Sequence, residues 1–256
     1  SQKKLAKQLK SLNKELIFMS SLFKAKNHVE RKESMKKMVK RIILYVIGLL
    51  VLALGINISK AAQLGISPVS AIPYACELIW GIELGKASIM VYIVLMALQV
   101  VLLRKNYKPK QLLQILCTYI LGFFITYTGR DHLLSFLPIP TNYFVKLIYL
   151  FISIIVIGIG VSLYLIPNLI PLPAEGLMNA IVEISNNRFK FSNVKVAVDS
   201  SLVLTSALLS LIFLGELKSV REGTVLAALL VGKTVGFIFK HFKEPILKWL
   251  EGDVQI

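Results

Sequence analysis

From residue 42 onward, apolar stretches of bilayer-crossing length alternate with short polar ones. Uncharged runs occupy residues 42–59, 87–103, 111–129 and 147–174. A helix needs about 20 apolar residues to cross a hydrocarbon core of roughly 30 Å, and in lipid each backbone polar group must be paired within the protein. The pattern predicts an all-α fold, a polytopic helical membrane protein. About six full spans are expected, at residues 42–59, 87–103, 111–128, 143–166, 196–215 and 223–239. Two shorter stretches, 68–81 and 174–185, carry or follow prolines (Pro68 and Pro73; Pro167, Pro171 and Pro173). They read as Pro-broken or re-entrant segments, because proline removes a backbone donor and crowds the preceding turn.

Residues 1–34 follow a different period. Leu5, Leu9, Leu12, Leu16, Met19 and Phe23 step by four and three along one helical face, and Lys3, Lys7, Lys10, Lys14 and Lys24 occupy much of the rest. This predicts a basic amphipathic helix lying on anionic lipid headgroups. A helix docking on a partner protein would carry the same pattern. A classical signal peptide would not, since lysines interrupt the apolar run every few residues.

Composition narrows the class further. The chain is 55% hydrophobic and 17% charged, whereas a soluble domain carries roughly a quarter charged residues. A soluble enzyme and a secreted disulfide scaffold are both excluded, and Cys76 and Cys117 read as buried free thiols without metal-ligand spacing. The formal net charge is +16, and residues 1–41 hold thirteen Lys/Arg against three acids. Because the excess stands beside and between spans, it reads as a topology determinant and lipid contact, not as a nucleic-acid surface.

Charge also orients the chain. Lys36, Lys37, Lys40 and Arg41 precede the first span and hold the N-terminus inside. The next strong cluster is Arg104, Lys105, Lys108 and Lys110. It falls inside only if segment 68–81 dips into the membrane and returns. The same rule places 130–142 outside, Arg188, Lys190 and Lys195 inside, and Lys240 and Lys243 inside. A multi-pass protein of the cell membrane with both termini cytoplasmic follows.

An internal repeat accompanies this plan. Gly55–Ile56–Asn57–Ile58–Ser59 and Leu64–Gly65–Ile66–Ser67–Pro68 align with Gly160–Val161–Ser162–Leu163–Tyr164 and Leu169–Ile170–Pro171–Leu172–Pro173 at one offset, and Gly122 later aligns with Gly236. Each copy would contribute three spans, an odd number, so the two copies would be inverted repeats. The expected organisation is a leader (1–34), a first membrane repeat (35–129), a connecting loop (130–142), a second membrane repeat (143–240) and a C-terminal amphipathic tail (241–256).

The Leu64–Pro68 pattern, the Gly-rich first span, Gly160–Tyr164 followed by Pro173–Ala174–Glu175–Gly176–Leu177–Met178, and the late Gly223–Thr224 with Gly232 resemble the YczE/YyaS/YitT family of bacterial membrane proteins. The resemblance covers roughly residues 36–240. Ile170 and Leu172 depart from the glycines that family tends to have, and Gly232–Lys233 departs from its Gly–Pro. The resemblance implies a multi-pass, transporter-like plasma-membrane protein without a settled substrate.

Ionisable residues inside a bilayer are costly, so each is a functional candidate. Glu175 opens the second short segment, either as a dipole-favoured helix cap or as a substrate or proton site. Asn179 and Glu183 follow on the same face, with Glu183 expected at the water interface. Asp199 enters an apolar span four residues after Lys195, as an i,i+4 ion pair or as a cation or proton carrier. Glu77, in the first short segment, is the expected partner across the pseudo-twofold, with Asn57 and Ser67 offering neutral hydrogen bonds. Lys233 snorkels or pairs with Asp199 or Glu175. Gly232–Lys233–Thr234 looks like the end of a phosphate loop, but Ala227 stands where its first glycine must be. Gly232 and Gly236 instead form GxxxG, which lets helices approach closely.

The substrate-binding set expected from sequence is therefore Glu175, Asn179, Asp199, Glu77, Asn57, Ser67 and Lys233. Scattered histidines and the lack of a catalytic motif argue against an enzyme; no cofactor or metal is called for. Two functional readings stand. One is a secondary transporter-like protein that moves a small polar or charged solute by alternating access, with proton coupling open. The other is a non-transporting accessory or assembly protein that recruits a partner through the leader. Expected partners are anionic lipid, an unidentified small molecule or ion, and a partner protein or a second copy of the chain; nucleic acid is not among them.

Overall fold

The computed structural model describes residues 34–251. The amphipathic leader and the last residues of the tail lie outside the described residues. Among those described there is no strand. Eight helices follow one another: α1 (Ser34–Ala62), α2 (Pro68–Trp80), α3 (Leu84–Leu103), α4 (Gln114–Tyr127), α5 (Tyr143–Leu165), α6 (Pro173–Ile184), α7 (Phe191–Leu214) and α8 (Glu222–Glu251).

Five of these, α1, α3, α5, α7 and α8, are long and apolar enough to cross a membrane. Their surfaces show why lipid is the solvent. Phe123, Phe144, Ile212 and Val101 are more than half exposed, while Ser88, Gln99, Gln114, Ser153, Ser162 and Ser206 are buried between helices. A water-soluble bundle would reverse that distribution. The chain is an integral membrane protein.

Two elements differ from the sequence expectation. The stretch expected as a span at 111–128 is a 14-residue helix preceded by the 3-10 turn Pro109–Leu113. The 3-10 form rises about 2.0 Å per residue against 1.5 Å for an α-helix, so the turn and helix together reach roughly 30 Å. The C-terminal stretch expected as a separate tail from residue 241 instead continues α8, which runs through Pro245 to Glu251. Beyond the apolar part of the helix, water can satisfy the carbonyl that Pro245 leaves free. The end of α8 is tied to the start of α1, where Lys40 Nζ donates to Trp249 O at 3.1 Å and Arg41 Nη2 meets Glu251 Oε1 at 3.2 Å.

The two short helices, α2 and α6, begin where proline takes the first helical position, at Pro68 and Pro173. A proline there sacrifices no hydrogen bond, and its fixed φ suits the helix. The backbone reaches Pro68 through Gly65, whose φ of +90° suits glycine.

Helix packing is set by glycines and small polar groups. At the crossing of α1 and α5, a Cβ on Gly55 would stand 2.8 Å from Ile157 N. One on Gly160 would stand 2.6 Å from Leu52 Cα, and one on Gly48 2.5 Å from Tyr164 N. Rising numbers in α1 meet falling numbers in α5, so the two helices cross antiparallel with their backbones in contact. The short α2 runs alongside α7 in the same direction: Ser206 Oγ donates to Ala71 O at 2.8 Å, and Trp80 meets Phe213 edge-on at 5.5 Å. The first turn of α6 meets α3, where Gln99 Nε2 donates to Pro173 O at 2.9 Å.

These contacts sort the helix ends. The starts of α1, α4 and α7 and the ends of α3 and α8 share one end of the bundle. That end carries Lys36, Lys37, Arg104, Lys105, Arg188 and Lys240. At the opposite end acids and bases are nearly balanced, with Glu77, Glu83, Asp131, Glu216 and Glu222 among Lys60, Lys86, Arg130, Lys218 and Arg221.

Candidate solute-binding cavity

A cavity of about 520 Å³ lies where the N-termini of α2 and α6 approach one another, between α1, α5, α7 and α8. Most of its wall is apolar, with Leu52, Ile56, Ile157, Val161, Val231 and Val235 facing in. Its polar groups are few: Glu175 and Asn179 from α6, Lys195 and Asp199 from α7, Tyr92 and Tyr164, Ser67 and Ser70 at the start of α2, and Asn168.

Glu175 stands in the first turn of α6, where the helix dipole favours a carboxylate. The same residue faces the cavity, so the cap and the site coincide. Its Oε1 accepts a hydrogen bond from the Tyr164 hydroxyl at 2.7 Å. Tyr164 is fully buried in the last part of α5 and packs edge-on against Tyr45, 6.0 Å between ring centres. The second carboxylate oxygen, Oε2, is buried without a hydrogen-bond partner.

Asp199 is 9% exposed. Its Oδ2 pairs with Lys195 Nζ at 2.8 Å across one turn of α7, while its Oδ1 is buried and unpartnered. Lys195 and Asp199 thus form the i,i+4 pair that their spacing allows, and the pair lies in the cavity wall. The cavity thus holds two carboxylates and one lysine, and the lysine is paired with Asp199.

Four sequence candidates therefore meet at the cavity: Glu175, Asn179, Asp199 and Ser67. Three do not line it. Glu77 is held at the balanced end by Lys60 of α1, 2.7 Å from Oε1, a partner in its own half of the chain and not across the molecule. Asn57 is buried between α1 and α4, where its Nδ2 donates to Ile125 O at 2.7 Å and Thr128 Oγ1 at 2.8 Å. Lys233 is exposed on α8 and pairs with neither Asp199 nor Glu175. Glu183 is exposed at the end of α6 and outside the cavity, as its position near the interface suggests.

Sequence reasoning missed Tyr92, Tyr164 and Asn168. The available signal is weak: a tyrosine in an otherwise aliphatic run needs a polar partner when buried. Asn168 has a φ of +51°, an αL conformation that asparagine tolerates, and turns the chain between α5 and α6.

Buried and exposed residues both contribute to the cavity wall. Toward the balanced end, Leu64, Gly65 and Ile66 are buried against the start of α8. Gly223 N–H donates to Leu64 O at 2.7 Å, and Arg221 Nη1 donates to Gln63 O at 3.2 Å. Toward the basic end, the wall includes exposed Asn168, Asn179 and Phe191. Ala228 and Gly232, midway along α8, are exposed members of the same wall.

Fold and cavity together define a polytopic helical membrane protein with a small charged site inside the bundle. The chain belongs to the family of unknown function DUF6198, whose model matches residues 39–240. No curated protein and no solved structure matches it significantly.

Proposed function

We propose that the protein is a secondary transporter-like carrier that moves a small polar or charged solute across the cell membrane by alternating access. One observation carries the reading: two carboxylates and a lysine converge on a cavity of about 520 Å³ within an apolar bundle. Charged groups at membrane depth are costly and mark substrate or ion pathways.

Three further features support it. Contacts Gly55–Ile157 and Gly160–Leu52 interchange when the repeat offset is applied, and so do Ala71–Ser206 and Gly176–Gln99 within two residues. An antiparallel crossing of equivalent helices is what inverted repeats produce, with α4 counted as the sixth span. The clustering of basic residues at one end favours a cytoplasmic position for that end and for both chain termini. The packing of Gln63–Ile66 against α8 would then stand on the outer side of the cavity. The resemblance to the YczE/YyaS/YitT proteins is of the same transporter-like kind.

The test is solute-dependent thermal stabilisation of the detergent-solubilised protein across a broad panel. A true ligand at a hundred times its Kd stabilises by about 2.7 kcal/mol. Glu175→Gln and Asp199→Asn should each abolish that stabilisation while the fold survives, and Glu183→Gln should leave it nearly unchanged. If both substitutions leave binding intact, the two acids serve α6 and Lys195 alone and the site is wrong.

A further inference from the structure

Resting on that reading of the cavity, we infer that its solute is a small organic ammonium: a protonated amine on an apolar body, with the ammonium seated between Glu175 and Asp199. The donor inventory points there first. Four carboxylate oxygens are present, and the structure gives them two donors, the Tyr164 hydroxyl on Glu175 Oε1 and Lys195 Nζ on Asp199 Oδ2. Glu175 Oε2 and Asp199 Oδ1 are buried with none. A buried carboxylate oxygen without a donor is costly. An ammonium group brings three N–H donors and no acceptor, which is the complement of that set.

Charge agrees with the inventory. Within the cavity Lys195 compensates one acid and leaves the other, so a cation completes the balance and an anion worsens it. The positive start of α6 is already matched by Glu175 in its first turn. Lys195 itself supplies a precedent, because it is an ammonium on an alkyl stem that already occupies one half of the acid pair.

Size and wall chemistry separate an organic cation from a proton or a metal ion. A space of about 520 Å³ suits an organic molecule, far more than a bare ion requires. Ile157, Val161, Leu165, Leu169 and Val231 offer an apolar bed for the rest of the solute. Alkali and alkaline-earth ions want a cage of oxygens, and among the described residues no three acidic, His or Cys side chains gather into a metal-binding group.

The experiment uses the purified full-length chain in detergent and three solutes of one shape: 2-phenylethylamine, 3-phenylpropanoate and phenylalanine. Thermal stabilisation by the amine, absent with the carboxylate, is expected. Phenylalanine, whose carboxylate brings a further negative charge beside the two acids, should stabilise less than the amine; stabilisation beyond the amine's overturns the ammonium inference. Glu175→Gln and Asp199→Asn should raise the amine concentration needed for half-maximal effect at least tenfold. Lys195→Met, which removes the internal competitor for Asp199, should lower it. Protection by the carboxylate equal to or greater than that by the amine overturns the ammonium inference while leaving a solute site in place. So does amine protection that survives both acid substitutions, or no protection by any of the three. The transporter reading fails separately, if a cavity position reacts from only one side of the membrane.

Discussion

Gly176 shows how closely single atoms govern the start of α6. A Cβ there would fall 2.5 Å from Gln99 Oε1 and 2.7 Å from Gln114 Nε2, and both glutamines are fully buried. Gln99 holds α6 through Pro173 O, so displacing its amide loosens the turn that positions Glu175. Gly176→Ala should destabilise the protein by about 1–3 kcal/mol, the usual cost of overpacking, and should weaken solute-induced stabilisation as well. Gly236→Ala is the control. Its Cβ would meet nothing within 4 Å, and alanine favours a helix by about 1 kcal/mol over glycine. Thermal unfolding of the two variants in the same detergent separates them; equal Tm values would mean that the amide cluster does not constrain α6. At this scale sequence could rank intramembrane acids as costly, which brought Glu175 and Asp199 forward. It could not tell which acid finds a local partner. Lys60 reaches Glu77 because the loop after α1 folds back, and that distance is invisible in a linear chain. Lys233 fails for the complementary reason: neighbouring positions on α8 face the cavity, but its own faces away.

Elements were most legible where proline or glycine dictates the backbone. Pro68 and Pro173 start α2 and α6 within a residue of the expected positions, since proline belongs at a helix N-terminus. The two misjudged elements both involve proline where hydrophobicity gives no guide: Pro109 opens a 3-10 turn before α4, and Pro245 lies within α8. The α1–α5 crossing makes a direct element-scale prediction. Gly160→Val would drive two methyl groups into the Leu52 backbone. Expression should fall, and Tm with it, by the several degrees that about 1–3 kcal/mol produces. A neutral Gly160→Val would mean that α1 and α5 do not pack backbone to backbone. The re-entrant path expected of segment 68–81 is testable by single-cysteine labelling in a Cys76→Ser, Cys117→Ser background. Asn106→Cys should react from the cytoplasmic side and Ser135→Cys from the outside. Reaction of position 106 from outside would mean that α2 crosses completely, and the two halves would then be parallel.

For the whole molecule, two short helices from opposite halves share one cavity, and the segment before α2 packs against the start of α8 beside it. Transport through such a cavity requires that seam to part and the opposite side to close. The seam joins the Gly223–Leu64 and Arg221–Gln63 hydrogen bonds to the burial of Leu64 with Leu150, Ile154 and Ala227, while the α1–α5 crossing holds two backbones in contact. Position 67, at the start of α2 in the cavity wall, lies just beneath the seam. The decisive measurement is the reactivity of Ser67→Cys, in the background lacking the other two cysteines, toward a membrane-impermeant maleimide applied to right-side-out and inside-out vesicles. Alternating access predicts labelling from both sides, with each rate shifted in the opposite direction by a solute that stabilises the protein. Labelling from the cytoplasmic side alone, unchanged by any such solute, would contradict transport and leave a membrane protein with a fixed inward pocket.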